Sequence, residues 1–385
     1  MVKNIIFEYI SVFVLSFLFV LGFTPWIIKL ARKINFVDKP EARKTHVKVT
    51  PLMGGVSLFA GFSLLLSYDV LIAANRVFDI RLSGFLLGAF VIVLVGLIDD
   101  KRPMNPYVKL FGQFLACAIF IVSNFGTVAL VASPLFGGMT LPHIALQPNI
   151  LFNNVIGVPL MLFWMIGLMN ALNFLDNMDG MISGMSAIIA LGFFGFSLIV
   201  NPENSSSALW ISLMGLISLS YSGAALGFLK YNFNPAKIFL GDAGSMFIGY
   251  FLATMGILMA NFASIEFQSK WFYLLPVLLI SFAVFDITFV STTRYLDGRR
   301  LSQGGKDHTT HRIFNALSSV KVTALMVYFI NIVVVIITFL VTYIGSVALL
   351  LIMLAIFIAL YSILAVKLYA VEVDIPVNQL RKKKK

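Results

Sequence analysis

Apolar residues run unbroken along most of this chain, and polar residues gather in short stretches between the runs. Runs long enough to cross a bilayer, or nearly so, fall at 5–29, 53–75, 82–98, 107–125, 152–169, 181–200, 206–228, 243–262, 271–293, 322–343 and 345–368. A spanning helix needs about 20 apolar residues, with about 17 as the short end. The pattern therefore predicts about eleven membrane helices, with 82–98 and 152–169 the shortest. The runs are continuous rather than alternating, which favours helices over a barrel. The fold class expected is all-α: a polytopic membrane protein with its N-terminus outside and its C-terminus cytoplasmic. The first run is too long for a cleaved signal peptide, and no small-residue cleavage site follows it.

Charge sets the orientation. Lys29, Arg32 and Lys33 follow the first run and only Lys3 precedes it, so residues 30–52 are expected inside. With alternate loops inside, only Lys3, Arg76, Arg81 and Lys270 of the 28 Lys and Arg fall outside. The net charge of +11 is then mostly topology and lipid attraction. No aromatic side chains are interleaved with the basic runs, so no nucleic-acid partner is expected. The chain reads as one integral membrane domain over 1–385. Its polar motifs lie in 43–312, its last two spans in 322–368, and a basic tail in 369–385.

Composition agrees: 59% of residues are hydrophobic and 12% charged, where a soluble domain has about 25% charged. The single cysteine, Cys117, permits no intrachain disulfide and no thiolate metal cluster, and reads as a packing residue. No dinucleotide or Walker fingerprint is present; Gly304-Gly305-Lys306 continues into Asp307 and lacks the upstream glycine.

The chain is organised around residues 170–180, where Asn170, Asn173, Asp176 and Asp179 recur every three residues between two apolar runs, with Gly180 after them. That spacing keeps them roughly on one face if the helix continues. No Lys or Arg lies within the stretch to pair the acids, which suggests a divalent cation or a ligand carrying donors; a polar turn facing water is the bland alternative.

Four further clusters share its side of the membrane. Residues 43–55 join Arg43, Lys44 and His46 to a Gly pair opening a run, suited to an anion at a helix N-terminus. Asp99 and Asp100 end the third run, with Lys109 beyond. Adjacent carboxylates repel, so one can hold a raised pKa and serve as a base, unless Lys101 and Arg102 simply pair with them. Residues 230–245 bring Phe239, Gly241 and Asp242, the last of which also reads as an ordinary N-cap. Residues 297–312 bring Arg299, Arg300, Lys306, His308, His311 and Arg312, suited to phosphate and sugar; zinc at the two histidines lacks a third ligand. Asp286, inside the ninth run, is expected to line the same site. Such a set on one face suits an Mg²⁺-bound polyphosphate, whereas a transporter more often places its ionisable groups near the midplane.

Asp99-Asp100, the 170–180 motif, Phe239-Leu-Gly-Asp-Ala-Gly-Ser245 and Asp307-His308-Thr-Thr-His311-Arg312 resemble, in order, the motifs of the polyprenyl-phosphate N-acetylhexosamine-1-phosphate transferases. The resemblance implies a fold of ten or eleven helices with a cytoplasmic active site, in the bacterial inner membrane. It implies transfer of a sugar 1-phosphate, most often N-acetylglucosamine 1-phosphate, from a UDP-sugar to undecaprenyl phosphate with release of UMP. The product would be the first lipid-linked intermediate of a cell-envelope polysaccharide such as lipopolysaccharide or teichoic acid. Carried over by motif, Asp242 would bind Mg²⁺, or Mn²⁺ as the alternative, with Asn173 as a second ligand. Asp99 would be the base or nucleophile and Asp100 its partner, while Asp176 and Asp179 would position nucleotide or metal. Lys109 would hold a phosphate and Phe239 would stack on uracil beside Gly241. Arg299, Arg300, His308, His311 and Arg312, with His46, would complete the substrate contacts. The peptidoglycan translocase of the family has three consecutive histidines, whereas here Thr309-Thr310 separate His308 from His311, which favours the N-acetylhexosamine branch over the phospho-muramyl-pentapeptide branch. A transporter and a non-catalytic scaffold are the rival classes, and a homodimer is one open assembly.

Overall fold

The computed structural model describes residues 2–38, 49–68, 80–131, 157–200, 205–299 and 305–373. Within the described residues every apolar run but the ninth supplies one helix. In order these are α1 (Val2–Lys33), α2 (Gly54–Tyr68), α3 (Ile80–Lys101), α4 (Pro106–Val131), α5 (Gly157–Leu175), α6 (Met181–Ile199), α7 (Ser205–Asn232) and α8 (Gly241–Glu266). A 3₁₀ turn, Lys270–Leu274, leads into α9 (Leu275–Leu279) and α10 (Ser281–Leu296); α11 (Thr309–Leu317), α12 (Val320–Ile344) and α13 (Val347–Tyr369) follow. Nine of the described helices are long and apolar enough to cross a membrane.

Two of the eleven expected spans are modified. The second run is described only as α2, whose continuation over 69–79 lies outside the described residues. The ninth is broken: the backbone leaves helical geometry at Ile280 (φ −100°, ψ 17°), and the two arms meet at 79°. Counting that bent pair as one span gives ten among the described residues. An apolar run has the same composition whether it is straight or bent, so the break leaves no mark in hydropathy.

The architecture is arranged around α8, which is buried continuously from Ala243 to Ser264. Lipid solvates apolar side chains as well as protein does, so such a centre is held by close packing and hydrogen bonds rather than by escape from water. Small residues supply the first. A Cβ on Gly96 of α3 would collide with the Ala243 backbone, and one on Gly249 would lie 2.5 Å from Met169 Cα of α5. Hydroxyls supply the second, as in Ser16–Ser220 (3.0 Å), Thr24–Ser57 (2.8 Å) and Tyr221–Ser186 (2.8 Å). In contrast, α13 buries only Leu350, Phe357 and Leu368 and stands at the periphery.

A two-stranded ribbon, β1 (Val37–Asp38) with β2 (Thr50–Pro51), lies before α2, antiparallel with Val37 opposite Pro51. Phe239 N–H donates to Pro51 O (2.9 Å), and Gly54 and Gly55 N–H donate to Phe239 O and Leu240 O (3.0 and 2.9 Å). The ribbon and the entry to α8 are thereby one piece of backbone.

Candidate active site

Four helix ends meet at one end of the bundle: the C-termini of α3 and α5 and the N-termini of α4 and α8. Lys109 stands at their centre. Its ammonium donates to Asp99 Oδ2 (2.8 Å) and to Asp242 Oδ2, bridging carboxylates from α3 and α8. Asn173 Nδ2 donates to the other oxygen of Asp242 (2.9 Å) and to Ser245 Oγ (2.8 Å), fixing the carboxylate plane. One turn behind Lys109, Gln113 exchanges an amide hydrogen bond with Asn170 (3.0 Å).

The two adjacent aspartates have separate tasks. Asp99 faces Lys109 and also accepts from Met104 N–H (2.6 Å). Asp100 turns the other way and accepts from Asp242 N–H (2.8 Å) and Ala243 N–H (3.2 Å). It therefore caps the first turn of α8 from a different helix, where Leu240 at the N-cap position offers no side-chain bond. Lys101 points to Ile34 O (3.4 Å) rather than pairing with either acid. Gly241 adopts φ +70°, and a Cβ there would press on the Asp100 carboxylate.

Asp179 is occupied too: its Oδ2 accepts from Asn234 Nδ2 (2.9 Å) and Ala236 N–H (3.0 Å), tying the loop between α7 and α8 to the end of α5. Asp176 is left facing a cavity of about 1220 Å³, which Asn173, Asp242, Phe239, Asp179 and Gly241 also line. Its carboxyl is pushed up to about 8 by burial and then by the charges of Asp242 and Asp179.

Lys306 and His311 also line the cavity. Burial, then the neighbouring His308 and Lys306, lower the His311 imidazole to about 4, so it is neutral near pH 7. The other members of its motif are turned inward. His308 Nδ1 pairs with Asp286 Oδ2 (2.8 Å), and Thr309 N–H donates to Asp286 Oδ1 (2.8 Å). Asp286, expected to line the cavity, is 1% exposed and instead holds the start of α11. Asp307 receives two bonds from Arg294 (2.9 and 2.8 Å) and one ion pair from Arg299 (2.9 Å). Burial works against its charge, but the Arg294 bonds and the two guanidinium charges outweigh it and bring the carboxyl down to about 2. Thr310 Oγ1 donates to Asn177 Oδ1 (2.9 Å), joining α11 to the 170–180 stretch.

Of the residues singled out from sequence, Asp100, Asn173, Asp176, Asp179, Phe239, Gly241, Asp242 and His311 share the cavity wall, with Asp99 and Lys109 directly behind Asp242. Arg299, His308 and Arg312 are buried against protein partners. His46 and Arg300 lie outside the described residues. Sequence reading missed Arg294, whose partner is 13 residues away, and Glu372 and Val373, which line the cavity from beyond α13.

No group of three or more His, Cys, Asp or Glu among the described residues forms a closed metal cage. Mg²⁺ does not need one: it keeps several waters and takes one or two carboxylates together with substrate phosphates. Asp242 and Asp176, which line the same cavity, fit that kind of site.

Similarity to known proteins bears on this arrangement. A family model described as glycosyl transferase family 4 matches residues 82–260. The chain is 32% identical over 83% of its length, and 81% of the relative's, to a probable undecaprenyl-phosphate N-acetylglucosaminyl 1-phosphate transferase of Bacillus subtilis. It is 29% identical to a decaprenyl-phosphate N-acetylglucosaminephosphotransferase of Mycolicibacterium smegmatis, over 79% of this chain and 75% of the other. It is 28% identical to a phospho-N-acetylmuramoyl-pentapeptide-transferase of Prochlorococcus marinus, over 73% and 77%. Asp99, Lys109, Asn173 and Asp242 all fall within the stretch that the family model matches, and the likeness extends across most of both chains: this polytopic membrane protein belongs to glycosyl transferase family 4.

Proposed function

We propose that this enzyme transfers N-acetylglucosamine 1-phosphate from UDP-N-acetylglucosamine to undecaprenyl phosphate and releases UMP, on the cytoplasmic face of the bacterial inner membrane. The observation that carries this reading is the Lys109 bridge: one ammonium between a carboxylate on the polar cavity, Asp242, and a carboxylate behind it, Asp99. In the adjoining turns of α3 and α4, Ile98, Tyr107 and Phe111 are exposed on the outside of the bundle. A water-soluble donor in the cavity and a lipid phosphate arriving along that apolar face would meet at this bridge.

Asp242, with Asp176 on the same cavity, would hold Mg²⁺, Mn²⁺ being the alternative; when bound, the ion offsets charge on the diphosphate. Asn173 holds the Asp242 carboxylate plane. Lys109 receives the lipid phosphate and screens it from Asp242, and Asp99 takes the proton of that phosphate. The freed phosphate oxygen attacks the sugar-side phosphorus in line, the bond to the bridging oxygen breaks, and UMP leaves with the electron pair. Catalysis of this kind is mostly positioning and electrostatics. Phe239 would stack on the uracil, and His311 and Lys306 would meet the sugar and diphosphate.

The pentapeptide-bearing donor is the second reading. Thr309 and Thr310 are fully buried, with the Thr310 hydroxyl committed to Asn177, so they present nothing to the cavity between the two histidines. That supports the smaller donor. The cytoplasmic assignment is supported by the basic bias of the loops that form the site. Incubating the purified protein with radiolabelled UDP-sugars, undecaprenyl phosphate and Mg²⁺ tests the whole reading. UMP and a labelled lipid are expected from UDP-N-acetylglucosamine; flux without UMP would indicate a transporter.

A further inference from the structure

Arg312 lies in the histidine motif, yet it is 3% exposed and does not reach the cavity. Its guanidinium sits over the rings of Phe289 (5.3 Å) and Tyr369 (6.0 Å), between α10 and the end of α13. Nε donates to Asp307 O (3.3 Å). Nη1 donates to Leu368 O (2.9 Å), Tyr369 O (3.3 Å) and Val371 O (2.9 Å). The final carbonyls of a helix have no partner within it and carry partial negative charge, so a buried cation is well matched to them. One turn further along α11, Asn315 Nδ2 donates to Glu372 O (2.8 Å). The next residues, Glu372 and Val373, form part of the cavity wall alongside His311 and Phe314.

We infer that Arg312 is a positioning residue that sets affinity for the donor sugar through segment 370–373, which it fastens as a wall of the cavity. The inference rests on the proposed function. The chemistry of the wall fits the sugar rather than the phosphates: the Glu372 carboxylate only accepts hydrogen bonds, which suits hydroxyl donors and repels a diphosphate. The diphosphate is thus left to the Asp242 and Lys109 side, and the hexosamine ring to the segment after α13.

Full-length Arg312→Ala, Arg312→Lys, Asn315→Ala and Glu372→Gln variants in detergent test this. Arg312→Ala should raise KM for UDP-N-acetylglucosamine about tenfold, the equivalent of one charged hydrogen-bond set. Its kcat and its KM for undecaprenyl phosphate should stay within about twofold, and backbone hydrogen exchange at 368–373 should rise. Arg312→Lys keeps a cation at the helix end and should recover most of the loss. Asn315→Ala and Glu372→Gln should each raise the donor KM about threefold, and they carry the test if Arg312→Ala does not fold. A fall in kcat with unchanged donor KM would overturn the inference, as would unchanged exchange at 368–373 in Arg312→Ala. So would a wild-type donor KM in both Asn315→Ala and Glu372→Gln. A wild-type protein that releases no UMP would instead sink the functional reading, while the exchange measurement would still decide the fastening.

Discussion

Single residues in this site are distinguished by what already occupies them. Asp242 is held by Lys109 and Asn173, and each of these keeps a second partner, Asp99 and Ser245, when its carboxylate is removed. Asp242→Ala is expected to insert and melt like the wild type while turnover at saturating Mg²⁺ falls by about 10²–10³-fold; a detergent assay beside a thermal melt checks both. Asp176 is the opposite case, a carboxyl whose pKa is raised to about 8 by burial and by Asp242 and Asp179. The folded state binds its proton more tightly than the unfolded chain does, so the contribution of Asp176 to stability falls as pH rises from about 4 to about 8. In metal-free buffer, Asp176→Asn should therefore flatten the decline in melting temperature over that window. An unchanged slope would show that Asp176 does not titrate there.

At the level of elements, the decisive contact is the cap that α3 provides for α8. Asp100 accepts two N–H groups of α8, and Gly241 leaves room for it by adopting a positive φ. Losing an N-cap costs about 0.5–2 kcal/mol. Asp100→Ala and Gly241→Ala should each lower the melting temperature and the activity, and the double variant should lose less than the two combined, because both break one contact. Thermal melts of the four proteins close that cycle. This contact also shows where sequence reading stops. The helical character of the apolar runs, and the gathering of Asp99, Asn173 and Asp242, were legible because hydropathy and motif order record them. The division of labour between Asp99 and Asp100 was not. Neighbours in sequence point to different sides of a helix, and only the placement of α8 decides which one meets an N–H and which an ammonium. Likewise Asp286 and Arg312 look like ligand-binding groups by residue type, and only their burial against α11 and α13 shows that they serve the protein.

Across the whole molecule, the site lies at one end of the bundle, and the cytoplasmic placement proposed for that end is open to a direct test. Cys117 is buried, so cysteines introduced at exposed positions can be labelled selectively. With a membrane-impermeant maleimide, Lys237→Cys and Glu372→Cys should react only from the cytoplasmic face and Lys270→Cys only from the other. Labelling of Lys237 and Lys270 from the same side would break the topology.

The total enclosure of α8 also bears on how the protein is made. The helices that clasp its first half, α2, α3 and α5, all precede it in the chain, so they have left the ribosome before α8 does. A helix carrying an aspartate at its leading turn thus enters the bilayer with a waiting slot, its cap and its ammonium counterion already in place. Biogenesis and catalysis draw on the same few groups, and a chain that misplaces α3 would yield a stranded α8 for quality-control proteases rather than a slow enzyme.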